Sequence, residues 1–207
     1  MLSGAGLLRM VFAYVALIPW PRYCVGRTLE QAPVACLEAA VALLVPLSAL
    51  ASALVPPLQL RLQPARAVRF CARALAGLLA GVGFFHVWAV LFGAPATELV
   101  WNTALWAAVV SSLTALPAAC ALGSSLEQWR RLFVDGRHHN ASEAELKCCA
   151  WGTVLGAWLG ALPMPLDWDR DWQAWPLTCV YGALGGHALG LLAAALATPT
   201  DVAAKTQ

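Results

Sequence analysis

The sequence predicts an all-α integral membrane protein, a bundle of about six transmembrane helices forming one domain over residues 1–207 and ending in a glycine-lined hairpin. Three observations predict it. Of 207 residues, 60% are hydrophobic and only 12% are charged, against roughly 25% charged in an ordinary soluble domain. Apolar stretches recur along the whole chain, and the longest polar stretch between them, 123–147, is far short of the roughly 50 residues of a small soluble domain. Finally, the segment 152–190 carries two doubled G-x-x-x-G patterns, Gly152, Gly156, Gly160 and Gly182, Gly186, Gly190, a spacing that lets membrane helices approach closely because no side chain intervenes.

A span needs about 20 apolar residues. The first candidate, 7–20, is short and carries Arg9; with no A-x-A-like cleavage site behind it, it reads as a retained, tilted helix rather than a signal peptide. The next, 34–55, is interrupted only by Glu38, and 74–92 holds only His86 as a titratable group. No charge interrupts 99–122, although Asn102 lies within it. The last two spans, 148–166 and 174–197, flank the turn PMPLDWDRDWQAWP. The glycine pairs 160/182, 156/186 and 152/190 are symmetric about Asp171, so a hairpin bent there places each glycine opposite another at equal depth.

Six spans put both termini on one side, and the basic residues then divide unequally. Arg9, Arg61, Arg66, Arg69, Arg73, Arg130, Arg131, Arg137, Lys147 and Lys205 fall on the side of the termini; Arg22, Arg27 and Arg170 fall on the other. Basic residues concentrate in short cytosolic loops, so both termini are expected in the cytosol and the 93–98 and 167–171 turns on the lumenal side. The net charge of +2 is the residue of this asymmetry and gives no basis for nucleic-acid binding. Within the 123–147 loop, LEQWRRLFV places Leu126, Trp129 and Phe133 at helical spacing beside Arg130 and Arg131, the composition of a short helix lying on headgroups.

Polar residues offer few sites. Asp167, Asp169 and Asp171 alternate around Arg170 among Trp168, Trp172 and Trp175. Such carboxylates can hold a divalent cation, but aromatic residues also belong at a membrane interface, and a structural or partner-binding turn is the stronger reading. The doublets His138-His139 and Cys148-Cys149 lack the spacing of zinc ligands. Seven scattered cysteines form no disulfide framework. Asn140-Ala-Ser142 matches a glycosylation sequon, on the side where the charge count expects no glycosylation. Glu38, His86, Glu98 and His187 are ionisable groups in or beside spans, where each is expected to find a partner or the interface. No catalytic triad or phosphate-binding loop is present.

The run FHVWAVLFGAPATELVWNTALWAAVVSSLTALPAACALG, followed by GAWLGALPMPLDWDRDWQAWPLTC and YGALGGHALGLL, resembles the phosphatidylinositol-glycan biosynthesis class F family. The resemblance covers about 84–133 and 154–191. It implies a multi-pass protein of the endoplasmic reticulum membrane that acts in glycosylphosphatidylinositol (GPI) anchor synthesis. Members of that family are non-catalytic subunits that stabilise two larger ethanolamine-phosphate transferases, PIG-O-like and PIG-G-like, acting on the third and second mannoses. The resemblance places the metal in the catalytic partner and implies no cofactor in this chain. On the residues themselves, the candidate contacts with partner or lipid are the lumenal Asp167, Trp168, Asp169, Arg170, Trp172, Trp175 and Glu98. Two other classes stay open on the residues alone: a small lipid-modifying enzyme using Asp167, Asp169 and Asp171, and a lipid transporter using Glu38, His86 and Glu98.

Overall fold

A computed structural model describes residues 26, 28–54, 64–166, 168 and 170–204. The expected first span, 7–20, lies outside the described residues, as do Asp167 and Asp169. The described residues are helical, with no strand among them.

Helix α1, Pro33–Ala53, begins with proline in its first turn, where the missing N–H costs nothing because that donor has no helical acceptor. Helix α2, Pro64–Leu91, also starts at a proline and extends well before the expected start at residue 74. Its first ten residues include Arg66, Arg69 and Arg73, so the apolar run marks the membrane-embedded part rather than the helix.

The expected single span 99–122 is divided. Helix α3, Val100–Leu113, and helix α4, Ala115–Leu122, meet at Thr114, which leaves the helical region with φ −126° and ψ −76°. Pro117 has no N–H to give to the carbonyl of Leu113 and its ring crowds that carbonyl. Hydroxyls occupy neighbouring acceptors: Thr114 Oγ1 donates to Val110 O at 2.7 Å and Ser112 Oγ to Val109 O at 2.7 Å, bonds that compete with the backbone ladder.

Together α3 and α4 form the central member of the bundle, with α1 and α2 packed along it. Its core contacts include Leu37, Ala40 and Leu44 of α1 with Leu105, Val109 and Val110. After α4 come a short helix, α5 (Leu126–Trp129), a wider π-helical turn over Arg130–Val134, and then helix α6, Ala141–Leu159. Helix α7, Leu177–Ala204, returns along α6. Among the described residues four stretches are long and apolar enough to cross a membrane: Pro33–Ala53, Ala65–Leu91, Val100–Leu122 and Leu177–Ala197.

The fifth apolar run is displaced relative to its helix. The expected 148–166 becomes Ala141–Leu159. Pro163 and Pro165 prevent the helix from continuing, while Asn140 starts it earlier: its Oδ1 accepts the Glu143 N–H at 2.8 Å, an N-cap. Glu143, Glu145 and Lys147 thus fall inside a helix whose second half is apolar.

Candidate functional site: the glycine-packed hairpin and its tip

Helices α6 and α7 form the most extensive contact between described elements, and glycine is the reason. A methyl group on Gly156 would overlap the carbonyl oxygen of Gly182 and lie 2.9 Å from Gly186 Cα; one on Gly186 would overlap the carbonyl of Gly152 and lie 3.0 Å from Gly156 Cα. Gly182 and Gly152 meet the same partners reciprocally. At the ends of the seam Gly160 abuts Thr178 and Gly190 abuts Cys148. The carbonyl contacts therefore pair 152 with 186 and 156 with 182. They sit one helical turn from the equal-depth pairs read from the sequence, which meet through Cα atoms instead. Each glycine lies between two on the facing helix, because facing rows interleave rather than collide.

Among the described residues Thr153 and His187 form a polar pair in the seam. Thr153 Oγ1 lies 2.7 Å from Cys149 O and 3.0 Å from His187 Nδ1, and both side chains are buried. A hydroxyl has one proton. Given to Cys149 O, it leaves Thr153 Oγ1 to accept from a His187 Nδ1–H. Thr153 carried no sequence signal of its own; it is adjacent to Gly152 and faces the histidine only in this register.

At the tip, Gln173 organises the chain. Its amide nitrogen donates to Pro163 O at 2.7 Å and Leu166 O at 2.9 Å, and its oxygen accepts the Arg170 N–H at 3.0 Å. This holds a single 3-10 turn, Asp171–Gln173, against the end of the α6 extension. The rings of Trp168 and Trp172 are 5.8 Å apart, and Trp168, Arg170 and Asp171 are exposed. Trp175 turns inward instead: its Nε1 donates to Thr103 Oγ1 at 2.9 Å and its ring lies 5.5 Å from that of Trp106. Of the tip's tryptophans it is the one that anchors the hairpin to α3.

Other sequence candidates are dispersed. Glu98 is exposed in the turn before α3. Glu38 accepts from Trp101 Nε1 at 3.0 Å, which ties the second turn of α1 to the first turn of α3 on the outer surface of the bundle. His86 is half-buried on α2. Glu38, Glu98, Trp175 and the tip nevertheless share one end of the bundle, because Trp101 and Thr103 both belong to the start of α3.

The opposite end is a polar clasp. Arg131 donates to both oxygens of Glu143 at 3.0 and 2.9 Å, His139 N–H donates to the same carboxylate at 2.8 Å, and Lys147 Nζ donates to Gly136 O at 2.8 Å. The Arg131 hydrogen bonds, aided by the His139 N–H, hold the Glu143 carboxyl below the usual carboxylate range against an opposing effect of burial. In the short basic segment, Leu132 is buried with Trp129 and Phe133 packed at its cluster, while Leu126 is exposed. Of the expected face, Trp129 and Phe133 stay together, their rings 5.6 Å apart, while Leu126 does not join them.

A second small-residue seam escaped the sequence reading. Gly77 of α2 faces Ala115 and Ala119 of α4, and Gly81 faces Ser111 and Ala115; Ser111 Oγ donates to Leu78 O at 2.9 Å across the same contact. The signal was present as Gly77-x-x-x-Gly81 opposite Ser111-x-x-x-Ala115-x-x-x-Ala119. Among the described residues no group of three or more histidine, cysteine or acidic side chains is placed to share a metal ion.

Apolar crossing helices, close glycine packing and charged groups gathered at the two ends define a polytopic helical membrane protein. A model of the GPI biosynthesis protein family Pig-F matches residues 13–195, and the chain belongs to that family. It is 44% identical over 108 residues to a human protein named "GPI ethanolamine phosphate transferase, stabilizing subunit", covering 52% of this chain and 49% of the human one. The mouse protein of the same name is 44% identical over 107 residues, again 52% and 49%. A "PIGF/3-ketodihydrosphingosine reductase fusion protein" of Schizosaccharomyces pombe is 38% identical over 138 residues, 65% of this chain and 28% of the fusion. The matched segment thus spans about half the length of the human and mouse relatives. No solved structure matches the chain.

Proposed function

We propose that this chain is a non-catalytic stabilising subunit of GPI ethanolamine-phosphate transferase complexes in the endoplasmic reticulum membrane, with PIG-O-like and PIG-G-like catalytic subunits as partners. The observation that carries the reading is the 44% identity to the human protein named as a stabilising subunit of such a transferase. The architecture fits it: the described residues are spent on helix packing, and the described polar groups hold turns and helix ends together. The metal and the lumenal chemistry belong, on this reading, to the catalytic partners. Both termini are cytosolic, so the clasp faces the cytosol and the tip faces the lumen.

The test separates a scaffold from an enzyme. Cells lacking the chain should accumulate a GPI precursor without ethanolamine phosphate on the later mannoses, with reduced levels of the catalytic subunits. Restoring the chain with Asp167, Asp169 and Asp171 all changed to Asn removes the charge a divalent cation requires. Any loss of transfer in that variant should track loss of the partner. A complex of normal abundance and composition that has lost its chemistry would overturn the non-catalytic reading.

A further inference from the structure

Helix α2 is 28 residues long, about 42 Å at 1.5 Å per residue, whereas a bilayer's hydrocarbon core is about 30 Å thick. Its apolar part from Ala74 to Leu91 uses about 27 Å of that length. The remainder is basic. Arg66, Arg69 and Arg73 follow at spacings of three and four, which puts them on one helix face. All three are exposed, and among the described residues no carboxylate lies within ion-pair distance of any of them. They span about 10 Å along the axis, slightly more than the ~5–8 Å of one headgroup layer. With Arg73 at the hydrocarbon boundary, Arg69 stands at phosphate level and Arg66 just beyond.

A second element meets the same end of the bundle. The Arg73 guanidinium lies against Gly123, where a methyl group would be 3.6 Å from Cζ, and Gly123 O accepts from Trp129 Nε1 at 2.9 Å. The indole and Arg73 thus meet at the same glycine. Next to it Leu126 is 84% exposed and the Arg130 side chain 73% exposed. An exposed leucine beside an exposed arginine suits the boundary between acyl chains and headgroups. Asp135, 3.8 Å from Arg130, offsets part of that charge, so the three arginines of α2 dominate.

We propose that Arg66, Arg69 and Arg73, with the Leu126–Arg130 segment beside them, form a docking surface for anionic phospholipid headgroups. The depth match and the uncompensated positive charge favour lipid over an acidic protein segment, which need not sit at phosphate level. In the orientation proposed above this end meets the cytosolic leaflet, where anionic lipids concentrate. The cellular source of the lipid rests on that orientation; the chemistry does not.

The experiment uses the full chain, reconstituted in nanodiscs of mixed phosphatidylcholine and phosphatidylserine with both leaflets alike, so its outcome is independent of topology. Lipid retained after detergent extraction is read by native mass spectrometry. A basic residue near the surface gives about a five-fold preference, reduced by screening at physiological salt. Wild-type protein should retain phosphatidylserine in excess of its bulk share, decreasingly as salt rises. The triple variant Arg66→Gln, Arg69→Gln, Arg73→Gln should lose most of that preference, up to about a hundred-fold at low salt and less at physiological salt, and the triple Arg→Lys variant should keep most of it. No excess in wild type, an excess insensitive to salt, or a Gln variant equal to wild type would each overturn the proposal. So would a Gln variant that releases a catalytic subunit while its lipid ratio is unchanged, since the occupant would then be protein. Should the Gln variant fail to fold, the wild-type salt series and the Lys variant still decide.

Discussion

Glu143 does three jobs with one carboxylate: it sits at the N-terminal turn of α6, receives both arms of Arg131, and accepts the His139 N–H. Negative charge in a helix's first turn also suits the helix dipole. Because these contacts favour the ionised form, the carboxyl titrates lower in the folded protein than in the unfolded chain. A group with a depressed folded pKa adds stability that is present above its unfolded value, about 4.3 for a glutamate, and lost as pH falls through the folded value. Thermal unfolding of the detergent-solubilised protein should therefore show wild type losing stability as pH drops from about 5 toward 3. Glu143→Gln should start less stable at neutral pH and be flatter through that window. Equal slopes would show that the clasp does not hold the fold. The neighbouring Asn140 was legible as a sequon, but its observed use is as the helix cap; the pattern Asn-x-x-Glu before an apolar run was the better guide.

At the scale of elements, the seam between α6 and α7 makes an unusually local demand. Gly156 and Gly186 have no room for a methyl group, whereas Gly185, one residue along, has nothing within 4 Å of the position a methyl would take. Lipid supplies no hydrophobic drive for helices to associate, so loss of van der Waals contact is uncompensated. Gly156→Leu or Gly186→Leu should separate the helices and lower both protein level and recovery of the catalytic subunit. Gly185→Ala should leave both unchanged or slightly raise stability through helix propensity, by under about 1 kcal/mol. Similar losses in all three variants would mean that the seam is not the determinant. The two ladders were readable because glycine spacing is a direct record of backbone approach. Their register was not, since interleaving depends on the facing surface and shifts the contacts by one turn. Helix ends were misplaced where hydropathy was asked to mark them: proline stops α6 early, and a basic first third extends α2 beyond its apolar run.

For the whole molecule, the geometry adds something the charge count alone lacked. The Glu38–Trp101 and Trp175–Thr103 bonds place the start of α1, the start of α3 and the hairpin tip at one end. Gly123, with Arg73 and Trp129 against it, belongs to the other, where α4 ends. The basic residues at the start of α2, Arg66, Arg69 and Arg73, and those of the π-turn, Arg130 and Arg131, thus lie at the far end from Arg170. Basic residues in short loops are retained on the cytosolic side, which is the ground for the proposed orientation. Single cysteines placed at Arg137 and Gln207 in a background stripped of accessible native cysteines should react with an impermeant thiol reagent from the cytosolic face of intact microsomes. A cysteine at Asp169 should react only after the membrane is opened. Asn140 should carry no glycan, since in the proposed orientation its sequon faces away from the lumen. Glycan on native Asn140, or a reactive Asp169 cysteine in sealed microsomes, would invert the protein, put the tip in the cytosol and remove it from the compartment in which the proposed partners work.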